Sequence, residues 1–133
     1  MKGGTIWLGE HHNSKKDHGF QASFIESVYR ERVKRNIQAQ MAIGLEQVQV
    51  QFQPVLDEYV AGNISVEEMR ERVEWNKRWM WPFDVYEPVF QVAKGLGIRL
   101  IALNVNSEDL SKVEKMGYPG LSQSRLRQYI TDP

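Results

Sequence analysis

Short apolar segments that alternate with stretches of helical periodicity are the feature that most restricts the folds open to this chain. Three such segments, 5–8, 41–45 and 98–105, end at glycine or polar residues and are of strand length. Apolar residues recur at helical spacing over 20–35, 54–59, 65–75, 84–96, 107–116 and 122–130. Because parallel strands need crossover connections, we predict an α/β fold with a short parallel sheet of about three strands and helices on both faces.

The length and charge of the chain argue against several classes of protein. Its 133 residues are enough for one domain, which we place over 1–133. Its 17 basic and 17 acidic residues give a formal net charge of zero, whereas nucleic-acid binders carry a basic excess. No apolar run approaches the ~20 residues of a membrane-spanning helix, and the lack of cysteine excludes thiolate metal ligands. We therefore expect no nucleic-acid partner and no transmembrane segment.

All three histidines lie within the first 18 residues. His11 and His12 directly follow the first predicted strand, and His18 comes six residues after His12. In an open parallel sheet, ligands bind beyond the carboxyl ends of the strands, and imidazoles there suit metal, haem or proton chemistry. An alternative interpretation is a polar loop that happens to contain the three histidines.

Polar side chains also follow the other two predicted strands. Glu46 ends the second, and Asn104 lies near the end of the third, where it is a candidate ligand or a cap of the next helix. Two histidines and a carboxylate are sufficient for a metal site, so His12, His18 and Glu46 are candidate ligands of a divalent metal.

The segment 75–83 is the most aromatic part of the chain and allows two interpretations. Its tryptophans, Trp79 among them, either pack as a satellite core or form the wall of a pocket for a flat ligand such as a porphyrin. Tyrosinate is a known ligand of haem iron, so Tyr59, Tyr86 and Tyr118 are candidate axial donors, and the spacing selects none of them.

An ordered set of motifs resembles the ChaN-like haem-binding proteins, which belong to a superfamily with the Tiki proteases and the erythromycin esterases. The opening match is Leu8-Gly9-Glu10-His11-His12-Asn13, with His18 following. The resemblance extends over about residues 5 to 121. The further matches are Gly44 to Glu46, Gln53 to Tyr59, Trp75 with Trp79, Tyr86 with Pro88, and Ile101 to Asn104.

The resemblance implies a haem- or tetrapyrrole-binding module of the iron-uptake type, which is not expected to be an enzyme. It places Glu10, His12, His18 and Glu46 on the polar site of the family. The full set of candidate ligand-binding residues is Glu10, His11, His12, His18, Glu46, Trp79, Tyr86 and Asn104. By resemblance alone, the protein is expected in a bacterial envelope or, in a eukaryote, in a plastid.

Two departures from the family pattern open alternatives. Asn13 stands where family members commonly have aspartate, and no histidine follows His18, so the family's second glycine-histidine motif is missing. We therefore expect either the first half of a longer protein, lacking the C-terminal half, or a short form that completes itself as a homodimer. The alternative functions are a metal-dependent hydrolase of the Tiki or esterase type and an interaction domain without a ligand.

Overall fold

Two parallel strands form the sheet of this chain in the computed structural model, which describes residues 4–38 and 40–130. The strand β1, Ala42–Gln49, pairs with β2, Arg99–Asn104. Leu45 lies opposite Ala102 and Gln49 opposite Asn104, so residues 46–48 of β1 face a single residue of β2 and the register shifts there. Helices flank the sheet, which confirms the predicted α/β class with two strands instead of three among the described residues.

The first predicted strand, over 5–8, was wrong. The segment pairs with no strand among the described residues, and Trp7 is 87% exposed. Its last residue, Leu8, packs partly against the core, and the side chain of Gln21 donates a hydrogen bond to the Leu8 carbonyl at 3.4 Å. β-Branched and aromatic residues favour strands mainly through packing against neighbouring strands, and this segment has no neighbour to supply that packing.

Seven α-helices make up most of the described chain, and several of their ends match sequence signals. Ser65 accepts a hydrogen bond from the Glu68 backbone, as its capping signature predicts, and Gly97 ends the fifth helix at a φ of 64°. Asn106, and not the candidate Asn104, is the N-cap residue of the sixth helix. The helices are α1 Lys15–Lys34, α2 Gln53–Val60, α3 Val66–Arg72, α4 Trp75–Arg78, α5 Phe83–Leu96, α6 Ser107–Met116 and α7 Gln123–Tyr129. None of them is long and apolar enough to cross a membrane.

The long helix α1 packs against α5 on a face that the apolar pattern did not indicate. Its buried residues are His18, Ala22 and Ile25, whereas Phe20, the first apolar residue of the helical pattern over 20–35, is 69% exposed. The 18, 22, 25 spacing is a regular helical stripe, but it begins with a histidine. The apolar pattern therefore predicted the helix and the burial of Ile25, and it missed the first five residues of α1, including the buried His18.

The aromatic segment supplies the centre of the core. Trp75 is buried against Phe83 and Phe90, with ring centroids 4.9 and 5.8 Å away, and its indole nitrogen donates to the Trp81 carbonyl at 2.9 Å. Trp79 and Trp81 are half-buried at the edge of this core. The core interpretation therefore holds for Trp75 and Phe83, and the other two tryptophans remain accessible.

Gln53, the first residue of α2, closes the outer edge of β2. Its amide nitrogen donates to the Leu100 carbonyl, and its amide oxygen accepts from the Ala102 backbone, both at 2.8 Å. The side-chain amide thus takes the two hydrogen bonds that a neighbouring parallel strand would make. This contact satisfies an otherwise exposed strand edge and fixes α2 beside the sheet.

We predict that Gln53→Leu lowers the free energy of unfolding by about 2 kcal/mol, because a backbone carbonyl and a backbone amide lose their partners. Chemical denaturation of the variant and the parent measures the difference. Gln91→Leu is the matched control, since Gln91 is exposed and bonds only to Glu87 one turn away on α5. Equal losses in the two variants would contradict the role of Gln53.

An arginine network joins the aromatic segment to the carboxyl ends of the strands. Arg78, at the end of α4, donates to the side chains of Gln49 at 2.8 Å and Glu108 at 2.7 Å. Gln49 is buried at the end of β1 and donates in turn to the hydroxyl of Ser107 at 2.6 Å. The hydrogen bond from Arg78 lowers the pKa of Glu108 to about 2. The network therefore fixes where Trp79, the next residue, lies relative to β1.

We predict a pH-dependent stability difference between the parent and Glu108→Gln. Because folding lowers the pKa of Glu108 from 4.5, its ion pair stabilises fully above that value and is lost as the pH falls toward 2. The Glu108 side chain is 54% exposed, so the difference at pH 7 is at most about 1 kcal/mol and shrinks in high salt. Denaturation between pH 7 and pH 2 tests this, with Glu114→Gln as an exposed control; a difference that does not vary with pH would contradict it.

Candidate functional site

The residues before α1 bring two histidines to one carboxylate at the carboxyl-end side of the sheet. Ser14 caps α1 by accepting a hydrogen bond from the Asp17 backbone, and its own amide donates to the His11 carbonyl at 2.8 Å. This tight turn reverses the chain between residues 12 and 18. His12, before the helix, and His18, inside its first turns, therefore both reach the side chain of Glu10.

Glu10 is the centre of the site. One carboxylate oxygen lies 2.9 Å from Nδ1 of His12, and the other lies 2.5 Å from Nε2 of His18. The Glu10 side chain is nearly buried and His18 is completely buried, whereas the imidazole of His12 is 40% exposed. The three side chains thus form a line that runs from the core to the surface and ends at His12.

Glu46, on β1, adds a second carboxylate near the exposed end of this line. It lies 3.8 Å from Nδ1 of His12 and its side chain is 61% exposed. Glu10, His12 and Glu46 each offer a ligand atom, and these atoms lie within 4.8 Å of one another, which is close enough to hold a metal ion. The predicted metal ligands were His12, His18 and Glu46; the structure groups Glu10 with His12 and Glu46 and places His18 behind Glu10.

Aromatic rings surround both imidazoles. Trp79 meets His12 edge to face at a centroid distance of 5.4 Å, and Trp81 lies tilted against it at 5.9 Å. Deeper in the site, Tyr86 of α5 packs against His18 at 4.0 Å. The accessible tryptophans therefore line the surface end of the site, and the tyrosine closes its buried end.

Several buried polar atoms at this site lack an aligned hydrogen bond among the described residues. They are both ring nitrogens of His18, Nε1 of Trp79 and the hydroxyl of Tyr86. The contact of His18 Nε2 with Glu10 is short but badly aligned with the N–H direction. Buried polar groups without a well-aligned partner are uncommon, and the three side chains here lie close to one another and to Glu10, with Tyr86 contacting both Trp79 and Glu10.

Burial governs the chemistry of the candidate tyrosines. Burial, with smaller contributions from the charges of Glu10 and Glu46, raises the pKa of Tyr86 to about 12, so its phenol is neutral at physiological pH. Burial also raises the pKa of Tyr59 to about 12, and that ring packs in the core against Phe90. Tyr118 is exposed, in the turn after α6. In this state neither buried tyrosine offers a tyrosinate.

Two of the predicted ligand-binding residues lie apart from the others. His11 is exposed and turns to Asp17, contacting its carboxylate through the backbone amide at 3.0 Å and Nδ1 at 2.9 Å, which lowers the pKa of Asp17 to about 2. The side chain of Asn104 makes no hydrogen bond within the described part of the chain. The residues that the structure brings together are Glu10, His12, His18, Glu46, Trp79 and Tyr86.

The set of predicted ligand-binding residues omitted Trp81, which contacts His12 directly. A signal for it exists in the sequence. Trp79 has extended backbone angles at the end of α4, so residues two apart there point to the same side, and Trp81 follows Trp79 at that spacing while Met80 between them is exposed.

Comparison with known proteins identifies the family of this chain. A family model described as "Haem-binding uptake, Tiki superfamily, ChaN" matches residues 1–133. No curated protein and no solved structure gives a significant match. The match covers the whole chain and includes every residue of the site just described. This chain therefore belongs to the haem-binding uptake family of ChaN, in the Tiki superfamily.

Proposed function

We propose that this protein binds haem and that His12 is the residue that ligates the iron. The observation that carries the proposal is the position of His12. Its imidazole is partly exposed and contacts the rings of Trp79 and Trp81, and it lies at the surface end of the row formed with Glu10 and His18. Membership of a haem-binding uptake family supports haem as the ligand. Binding and handing on of haem, rather than turnover of a substrate, is the activity we propose.

The residues at the site fit haem in their chemistry. Histidine is a common axial ligand of haem iron, and the indole rings of Trp79 and Trp81 offer apolar surface to a flat macrocycle. Met80, between the two tryptophans, is exposed and extends that apolar surface. Haem would supply a redox-active iron, His12 would hold that iron, and the two tryptophans would shield it from water. Tyr86 is neutral and buried and is not proposed as a ligand.

A divalent metal is the second candidate, and one observation favours it. Ligand atoms of Glu10, His12 and Glu46 lie within 4.8 Å of one another, and two carboxylates with one imidazole are a typical set for a first-row divalent metal. Such an ion would activate water for a hydrolase of the Tiki or esterase type, with Glu46 facing the solvent from which a substrate arrives.

Self-association is also part of the proposal. Large apolar side chains are exposed at several places, including Trp7 and Met80, which are 87% and 83% exposed, and Leu103 on the strand β2. Soluble proteins seldom leave such side chains uncovered in number, so a second copy of this chain is the partner we propose. Light scattering during size-exclusion chromatography, with and without haemin, measures whether the chain is a dimer.

We predict that haemin gives a saturable Soret change with the parent protein and that His12→Ala weakens binding at least about tenfold, because one iron–nitrogen bond is lost. Tyr86→Phe should bind haemin within about threefold of the parent, since the phenol is not a ligand. His11→Ala, which changes an exposed neighbouring histidine, is the matched control. A loss in Tyr86→Phe with no loss in His12→Ala would assign the iron to the tyrosine, and a folded parent without a saturable change would exclude haem binding by this chain.

We predict that Glu46→Gln separates the two candidate ligands. If Zn²⁺ binds at the three-residue group, removing one charged oxygen ligand should weaken Zn²⁺ binding about tenfold or more in isothermal titration. The same substitution should leave haemin affinity within about twofold, because only His12 is proposed to ligate haem iron. An equal loss for both ligands would contradict separate roles for Glu46 and His12.

A further inference from the structure

One face of the two-stranded sheet is open to solvent. Side chains alternate between the two faces along each strand, and Leu45, Leu100 and Ala102 are buried in the core. The residues between them point away from the core and are exposed or half-buried. They form the exposed sheet face, which consists of Ala42, Gly44 and Glu46 on β1 and Arg99, Ile101 and Leu103 on β2. Apolar surface that is rimmed by charged residues marks interaction sites in soluble proteins.

Gly44 makes the centre of the exposed sheet face flat. A Cβ atom at Gly44 would lie 2.6 Å from Cδ1 of Leu103, so the leucine lies across the sheet over the glycine. Ile101 pairs with Gly44 and stands beside it. Leu103 is 53% exposed, and Val105, which follows the strand, is also exposed. Sheets pack face to face at about 10 Å through apolar side chains of this kind, so the surface fits a second sheet.

The two ends of the exposed sheet face carry opposite charges. Arg99 begins β2 opposite Ala42, and Glu46 lies four residues further along β1, a separation of about 13 Å. Both side chains are largely exposed and make long ionic contacts in their own chain, Arg99 with Asp57 at 3.6 Å and Glu46 with His12 at 3.8 Å. Each can therefore accept a further partner of opposite charge.

This distribution of charge makes the exposed sheet face complementary to itself. A two-fold axis that lies between two such faces, perpendicular to the strands, sets the strands of the two copies antiparallel. Arg99 of each copy then lies near Glu46 of the partner subunit, and the apolar centres meet. The interface of a two-fold dimer uses the same patch on both subunits, so the ion pair is made twice.

We propose that the exposed sheet face is the interface of a homodimer in which two copies pack face to face with antiparallel strands. The inference rests on the proposed self-association and deepens it by naming the surface and the symmetry. The apolar centre supplies burial. The charges of Arg99 and Glu46 select the orientation, because a parallel arrangement would place like charges together.

Exchanging the two charges tests the orientation. Sedimentation velocity over a series of protein concentrations, without haemin, gives the dimer dissociation constant of each variant. Arg99→Glu and Glu46→Arg each replace two attractive pairs by two repulsive ones, and we expect each to weaken the dimer about tenfold or more. The double variant restores opposite charges and should return to within about threefold of the parent.

Leu103→Lys tests the apolar centre. A lysine there puts two ammonium groups into the interface, and the variant should be monomeric at concentrations at which the parent is a dimer. Phe20→Lys is the matched control, because Phe20 is 69% exposed and lies on α1, whose buried residues belong to the core. Circular dichroism shows whether each variant is folded.

Cross-linking gives a measurement that does not depend on the charged variants. The proposed axis passes the sheet at the level of Gly44 and Ile101, so Ile101 of one copy lies near Ile101 of the partner subunit. The chain contains no cysteine, and Ile101→Cys therefore places a single thiol on each copy. A short bis-maleimide should link two copies of Ile101→Cys and should not link Phe20→Cys.

The outcomes separate this interface from self-association in general. A dimer that Leu103→Lys leaves intact, that the double charge variant fails to restore, or that Ile101→Cys does not cross-link would overturn the interface, while self-association would stand. A parent that is monomeric at every concentration would contradict both and leave the exposed sheet face to a different occupant. Because no haemin is present, neither result bears on the haem function.

Discussion

The pairing of the nearly buried Glu10 carboxylate is the constraint on which the functional end of this protein depends. A carboxylate removed from water needs charged or hydrogen-bonding partners, and Glu10 has an imidazole on each side and the phenol of Tyr86 nearby. That requirement explains why the chain turns back at Ser14 and why α1 buries a histidine. It also explains why His12 stands at the surface in a fixed orientation. His18 therefore takes part both in the packing of α1 on α5, through its contact with Tyr86, and in the site, through its contact with Glu10.

Much of the fold was predictable because its elements carry strong local signals. The strands β1 and β2 follow apolar runs, and α3 and α5 begin or end at residues that cap helices by their own chemistry, Ser65 and Gly97. The segment 5–8 has an equally apolar composition and forms no strand, because pairing depends on a neighbour elsewhere in the chain. An apolar composition allows a segment to form a strand, but the strand forms only where a neighbouring strand is present to pair with it.

The site was predictable to the extent that polar residues follow apolar strands. That rule singled out Glu46, although β1 continues to Gln49 and Glu46 lies inside the strand instead of after it. The histidine cluster identified His12, whereas the sequence did not show the order of Glu10, His12 and His18 from the surface to the core. It depends on the turn before α1 and on the angle at which α1 meets α5, neither of which is determined by residue spacing. Asn104 satisfied the same rule and joined no cluster, because it lies opposite Gln49 at the end of β1, three residues beyond Glu46.

That register shift has a consequence for how the site can vary. Three residues of β1, 46–48, lie opposite one residue of β2, and Glu46 is the first of them. Extra residues in a strand free the local backbone from the ladder and redirect its side chains. The direction of the Glu46 side chain is therefore set by this stretch and not by a pairing partner on β2. The opposite end of the same stretch is anchored, because Val48 is buried in the core, so a change at Glu46 alters the ligand set and a change at Val48 alters the packing.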